Sequence, residues 1–164
     1  MFDFTGKAFL FGDDINTDYI ISSRRKRDTL DLSLLRQFIM EDIRPSFFAE
    51  LKGEPGIIVA GKNFGCGSAM EVAAQILPAN EIKVVLANSF ARSFFRNCVN
   101  NGVLAIEISS HDISEGDSLR IIMQTDYIEI QNRSRGKSIR HPSPGGEVRR
   151  IIELGGLVNY FREP

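Results

Sequence analysis

The sequence predicts an α/β fold with a mixed sheet, parallel in its central βαβ units and antiparallel in a C-terminal meander. Three observations carry this. Short β-branched runs at 56–60, 83–87 and 103–108 alternate with helical stretches, the pattern of parallel strands joined by right-handed crossovers. Beyond Gly116 the texture changes to short alternating strands split by turns. The composition, 164 residues with 43% hydrophobic and 25% charged, supplies one sizeable core, so a single domain over 1–164 is expected.

Taken in order, 7–11 is a first strand ended by Gly12-Asp13-Asp14, and 15–21 is a polar turn that runs into two buried isoleucines. Asp13, Asp14 and Asp18 lack the alternate spacing and closing glutamate of a calcium loop and read as turn caps. Four consecutive cations, Arg24 to Arg27, follow Ser22-Ser23. Such a run is a solvated loop or, functionally, a mobile arm that brings guanidinium groups to a carboxylate. Apolar residues at helical spacing predict a helix within 30–51, interrupted at Pro45 and resumed over 47–51. Residues 71–77 and 89–102 are helices between the strands, the second stopped by Gly102. Strands at 119–123, 127–131 and 137–141 form the meander. A helix over 147–154 precedes Gly155-Gly156, and 157–161 packs the tail.

The chemistry-bearing stretch is Gly61-Lys62-Asn63-Phe64-Gly65-Cys66-Gly67-Ser68, between a strand and a helix. Three glycines in seven residues permit positive φ and close backbone approach to a ligand. Ser68 then stands at a helix N-terminus, where unpaired N–H groups and the helix dipole can bind an anion or stabilise an alkoxide. The plainer alternative is an N-cap on a tight strand-to-helix connection. The spacing fits neither a phosphate loop nor a dinucleotide fingerprint.

Net charge is −1, which gives no general attraction to nucleic acid or anionic membrane. No apolar window approaches the roughly 18 residues of a membrane span, and no secretion signal is visible, so a cytoplasmic protein is expected. Cys66 and Cys98 alone can hold neither zinc nor an iron–sulfur cluster. His111 and His141 fall outside the motifs and receive no catalytic role.

With these pieces in place, the chain resembles the small subunits of the isopropylmalate dehydratase and homoaconitase branch of the aconitase superfamily. The resemblance rests on Phe11-Gly12-Asp13-Asp14-Ile15-Asn16-Thr17-Asp18-Tyr19-Ile20-Ile21, on 61–68, on Ala87-Asn88-Ser89-Phe90-Ala91-Arg92-Ser93-Phe94-Phe95-Arg96-Asn97, and on Gly155-Gly156-Leu157-Val158. It implies a swivelling β/β/α domain and a heterodimer or heterotetramer with a large subunit that carries a 4Fe-4S cluster, this chain binding none. The implied reaction is dehydration or isomerisation of a 2-hydroxy di- or tricarboxylate, as in leucine biosynthesis. The resemblance places Ser68 as the base and Asp18 beside it, with Thr17, Arg24, Arg27, Gly67 and Ala69 in substrate binding. Arg27 falls on the position that selects the substrate's side group. Isolated small subunits expose the surface meant for the partner, so self-association is expected.

The chain departs from the family pattern at the substrate end. Where Ser-Ser-Arg-Glu-His is usual, it reads Ser68-Ala69-Met70-Glu71-Val72, and Ser22-Ser23-Arg24-Arg25-Lys26-Arg27 replaces Pro-Gly-Arg-Tyr-Leu. The resemblance implies a 3-isopropylmalate dehydratase-like small subunit, and these changes bring in, as one alternative, a homoaconitase-like or methylmalate and dimethylmalate dehydratase-like paralogue with altered specificity. A second alternative is a catalytically silent binding domain.

Overall fold

The computed structural model describes Met1–Pro164. Its strands are β1 (Phe2–Leu10), β2 (Gly56–Ala60), β3 (Ile82–Ala87), β4 (Leu104–Glu107), β5 (Ser118–Met123), β6 (Tyr127–Asn132) and β7 (Lys137–Pro142). They form one mixed sheet of order β4-β3-β2-β1-β5-β6-β7. β1 to β4 pair in parallel, and β5 to β7 form the antiparallel meander. β1 joins the halves. Its C-terminal residues, Lys7 to Leu10, pair with β2, while its N-terminal residues, Phe2 to Lys7, pair with β5.

The period-two alternation of strand side chains divides the core in two. Phe9, Ile58, Ala60, Val85, Ala87 and Ala105 face the helices, among them Phe94 and Cys98 of one crossover. Ile57, Val59, Val84, Leu86, Leu104 and Ile106 face the other way and meet Leu119, Ile121, Met123, Ile128 and Ile130 of the meander. The sheet therefore curls so that its antiparallel half covers one face of its parallel half. Burial on both faces explains why β2 and β3 read as continuous apolar runs.

The helices are α1 (Thr17–Ile20), α2 (Ser23–Asp28), α3 (Leu32–Leu35), α4 (Phe47–Leu51), α5 (Glu71–Gln75), α6 (Arg92–Asn100), α7 (Gly146–Glu153) and α8 (Leu157–Arg162). Several differ from expectation. The polar turn at 15–21 contains α1, capped by Asn16, whose side chain accepts from the Asp18 N–H at 2.8 Å. The basic run is no loose arm but α2, with the buried Ser22 hydroxyl as its cap. The long helix expected from 30 is only α3 and one 3-10 turn, Arg36–Phe38. It ends because Met40 takes a left-handed φ of 56° and donates its N–H to the Ile20 carbonyl at 2.9 Å, turning Ile39 and Met40 into the core. α5 stops at Gln75, ahead of Pro78. The tail is helix α8, with Val158 and Phe161 exposed rather than packed.

Arg44 ties the first strand to these helices. Its guanidinium donates to Glu50 at 2.8 and 2.9 Å, to Glu115 at 2.6 Å and to the Leu10 carbonyl at 3.3 Å. It also lies within 5.5 Å of the Phe9, Phe11 and Phe47 ring centroids. Arg44→Met keeps the stem but leaves these acceptors without their donor. It is expected to lower stability in urea denaturation by about 2 kcal/mol.

The same contact predicts a pH dependence. Hydrogen bonding to Arg44 holds the Glu50 carboxyl below its ordinary value of 4.5, and Arg25 does the same for Glu41. A depressed folded-state value means that the stabilisation is complete above the ordinary glutamate range and is lost as pH falls below it. The melting temperature followed by circular dichroism should therefore be flat from neutrality to about pH 5 and decline below, less steeply in Glu41→Gln.

Candidate active site

Three loops leave the C-terminal ends of β1, β2 and β3, the side on which open α/β sheets bind ligands. They are 11–16, 61–70 and 88–91. Their backbones continue the parallel ladder. The Gly61 and Asp14 N–H groups donate to the Gly12 and Lys62 carbonyls at 3.1 and 2.8 Å. The Gly65 N–H then donates to Ile15 O, and Thr17 N–H to Cys66 O, both at 2.8 Å. On the other edge Phe64 N–H reaches Ser89 O, and Ala91 N–H reaches Phe64 O, both at 3.0 Å.

Side chains lock the same arrangement. Asp13 Oδ1 accepts from Lys62 N–H at 2.7 Å, and Ser89 Oγ accepts from Asn63 N–H at 2.8 Å. Two glycines are required by geometry. Gly65 has φ +82°, and a Cβ there would sit 2.1 Å from the Phe94 ring. Gly67 has φ +90° and presses its Cα face on the Asn16 amide, 2.5 Å from where a Cβ would be.

This construction brings Thr17, Gly67, Ser68 and Ala69 together. Thr17 is buried, and its hydroxyl donates to the Ser68 carbonyl at 2.8 Å across 51 residues of sequence. Ser68 is exposed, and its Oγ has no hydrogen bond within the chain. The capping expectation fails here. α5 begins at Glu71 with Met70 as cap, two residues beyond Ser68. The donors near Ser68 belong to the loop instead, since the N–H groups of Gly67, Ser68, Ala69 and Met70 meet no protein acceptor.

Asp18 lies on α1, exposed, with Oδ1 accepting the Ser23 N–H at 2.7 Å and hydroxyl at 2.6 Å. Those two bonds hold its carboxyl below its ordinary value despite some burial, and Lys26 and Arg24 add to the effect. Asp18 is thus a fixed anion that anchors the start of α2. Arg24 is paired within the chain, 3.2 Å from Asp42 and 3.4 Å from Glu41. Arg25 lies on Glu41 at 2.7 Å and stacks over the Phe38 ring at 3.8 Å. Arg27 is exposed and forms no ion pair. Lys26, left in the solvated run by the sequence reading, is half-buried with Nζ 3.0 Å from Met70 Sδ. The signal for α2 was the Ser22 cap, which the density of charge after it obscured.

No group of three His, Cys, Asp or Glu side chains is placed to hold a metal. Cys98 is buried, which pushes its thiol well above the ordinary range. An open cleft of about 390 Å³, lined by Phe90, Arg92, Phe95, Arg96, Glu107 and His141 among others, includes no residue of the 61–70 loop.

The fold and this loop cluster define an aconitase-type domain. A family model described as the Aconitase C-terminal domain matches residues 47–111. The methanogen homoaconitase small subunit of Methanocaldococcus jannaschii is 40% identical over 158 residues, spanning 96% of this chain and 91% of that protein. The 3-isopropylmalate dehydratase small subunit of Methanosarcina mazei is 40% identical over 159 residues, 96% of each chain. The crystal structure of 3-isopropylmalate dehydratase (leuD) from Methanocaldococcus jannaschii superposes with a TM-score of 0.88 at 38% identity, covering 98% of this chain and 94% of that one. The chain belongs to the small-subunit family of 3-isopropylmalate dehydratase and homoaconitase, and so to the hydro-lyases.

Gly65→Ala should test the loop's construction. The clash with Phe94 and the positive φ together are expected to cost about 3 kcal/mol in urea denaturation. Thr17→Val, which keeps the shape and removes one donor, should cost about 1 kcal/mol in the same measurement.

Proposed function

We propose that this chain is the small, swivelling subunit of a heteromeric hydro-lyase that dehydrates or isomerises a 2-hydroxy di- or tricarboxylate. The observation that carries the reading is the exposed Ser68 hydroxyl on a loop whose backbone is fixed by buried Thr17. Whole-length relatives bearing dehydratase and homoaconitase names support it.

Ser68 is the base that takes the proton α to a substrate carboxylate. A serine hydroxyl is a very weak acid in water, so its alkoxide needs donors arranged beforehand. The free N–H groups of 67–70 are those donors, and they replace the helix-terminus effect expected from the sequence. Gly67 and Ala69 take part in substrate binding through their backbone. Thr17 positions Ser68, and Asp18 positions α2. Arg27, without an internal carboxylate, is free to meet a second carboxylate of the substrate.

The names of the relatives imply a large-subunit partner, and in this family reading the partner holds the iron–sulfur cluster. The donor set of this chain does not fit a cluster, with one thiol buried and one in the loop. The exposure of Ser68 fits a site completed by that partner. Self-association of the chain alone and a cytoplasmic setting belong to the same proposal; no helix is long and apolar enough to cross a membrane.

The test is an anaerobic assay of this chain with its large subunit, following the unsaturated acid by absorbance. Isopropylmalate, citramalate, dimethylmalate, citrate and homocitrate are offered in parallel. Turnover of one of them is expected, lowered by about 10³-fold or more in Ser68→Ala with the complex still assembled. An intact complex that turns over none of them would mean that this chain acts on something else or does not catalyse at all.

A further inference from the structure

The four cations of α2 separate into two pairs. Arg24 and Arg25 turn to the carboxylates of Glu41 and Asp42, so their charge is compensated inside the chain. Lys26 and Arg27 form no ion pair. Lys26 is the more constrained of these two, half-buried where Arg27 is exposed. The only hydrogen-bond partner of its ammonium within the chain is the Met70 thioether, 3.0 Å from Nζ.

That contact is a poor match. An ammonium carries three donors and a full charge, while a thioether is a weak, neutral acceptor. The Lys26 charge helps to hold the Asp18 carboxyl below its ordinary value, but Asp18 Oδ1 is engaged by both donors of Ser23, and no ion pair forms between the two. The ammonium is therefore held without a counter-ion against the end of the 61–70 loop. Met70 occupies the N-cap position of α5 and follows Ala69 and Ser68 directly, so the ammonium is tethered through the Met70 side chain to the segment whose N–H groups at 67–70 meet no protein acceptor. A cation and a row of unpaired backbone donors, next to an unpartnered hydroxyl, together match a carboxylate that gives one oxygen to each.

We infer that Lys26 is a substrate-binding residue, whose ammonium leaves the Met70 thioether to hold a carboxylate of the hydroxy acid against the 67–70 loop. This rests on the function proposed above and goes further, because it assigns the carboxylate to Lys26 rather than to Arg24 or Arg25. Met70 then serves as the resting contact that keeps the ammonium at the site. Arg27, one residue on and exposed, is left to the distal end of the substrate.

The experiment uses the complex with its large subunit. Lys26→Met should raise KM and lower kcat/KM by roughly 10- to 100-fold with a smaller change in kcat, as for loss of a hydrogen bond to a charged group. Lys26→Arg should keep most of the activity. The double variant Lys26→Met/Met70→Lys, which moves the ammonium to the other side of the same contact, should recover part of the loss. An unchanged KM in Lys26→Met, in a complex whose activity Ser68→Ala abolishes, would overturn the inference and leave the hydro-lyase reading standing.

A second readout does not need turnover. In the full chain labelled with methyl-13C methionine, the Met70 methyl resonance, assigned through Met70→Leu, should shift on addition of citrate and should not shift in Lys26→Met. A wild-type shift that Lys26→Met abolishes, with no turnover of any acid offered, supports carboxylate binding at Lys26 and counts against the hydro-lyase reading, and a shift that persists in Lys26→Met overturns the inference. No shift in wild type overturns the inference.

Discussion

The hydrogen-bonded ladder that runs past the strand ends is the constraint on which the rest of this structure depends. In most α/β sheets pairing stops where the loops begin, and the loops then differ in conformation more than the strands do. Here the backbones of 11–16, 61–70 and 88–91 stay in pairing distance beyond the sheet. The glycine loop lies between the other two, so its shape is set from both edges. Gly65 and Gly67 follow from this, since Phe94 and Asn16 occupy the volumes that side chains there would need. Thr17 belongs to the same logic, for its buried hydroxyl fixes the carbonyl of the residue whose own hydroxyl stays free. A rigid frame that presents one unpaired hydroxyl and several unpaired N–H groups suits a base that must be positioned before its substrate arrives.

Much of the sheet was legible in the sequence because burial on two faces leaves a continuous apolar run, as in β2 and β3, and burial on one leaves alternation, as in β6. The meander and its turns were read within a residue or two of their bounds. Local pattern failed where a distant contact decides. α2 looks like a solvated run because the partners of Arg24 and Arg25 lie 16 to 18 residues further on. The stretch from Leu32 looks like one helix because nothing nearby announces that Met40 will bond to Ile20. The plainer alternative for Ser68, an N-cap, fails for a related reason. A serine before a helical run is a good cap on average, but this one stands ahead of the helix start at Glu71, with its carbonyl bonded to Thr17, 51 residues earlier.

The candidate site was legible only in part, and by resemblance more than by periodicity. No spacing rule relates Thr17 to Ser68. What the sequence could not convey is how charge is distributed over α2, since four adjacent cations are equivalent on paper. Helical rotation of about 100° per residue separates them in space. It sends two toward Glu41 and Asp42 and one toward Met70, so a single short element both anchors itself and offers charge to the site.

The position of β1 also bears on how the chain reaches this state. Phe2 pairs with Met123 and Lys7 with Gly56, so the first strand is completed on one edge about fifty residues later and on the other more than a hundred residues later. Pairings so distant in sequence form slowly, because the entropy of closing the intervening chain must be overcome before they contribute. During synthesis the parallel half, with all three loops of the site, can assemble while the meander is still emerging. The face of β2 and β3 that carries Ile57, Val59, Val84 and Leu86 stays bare until that meander arrives. The late step in maturation is thus the covering of a hydrophobic sheet face, and aggregation of nascent chains would compete with it there.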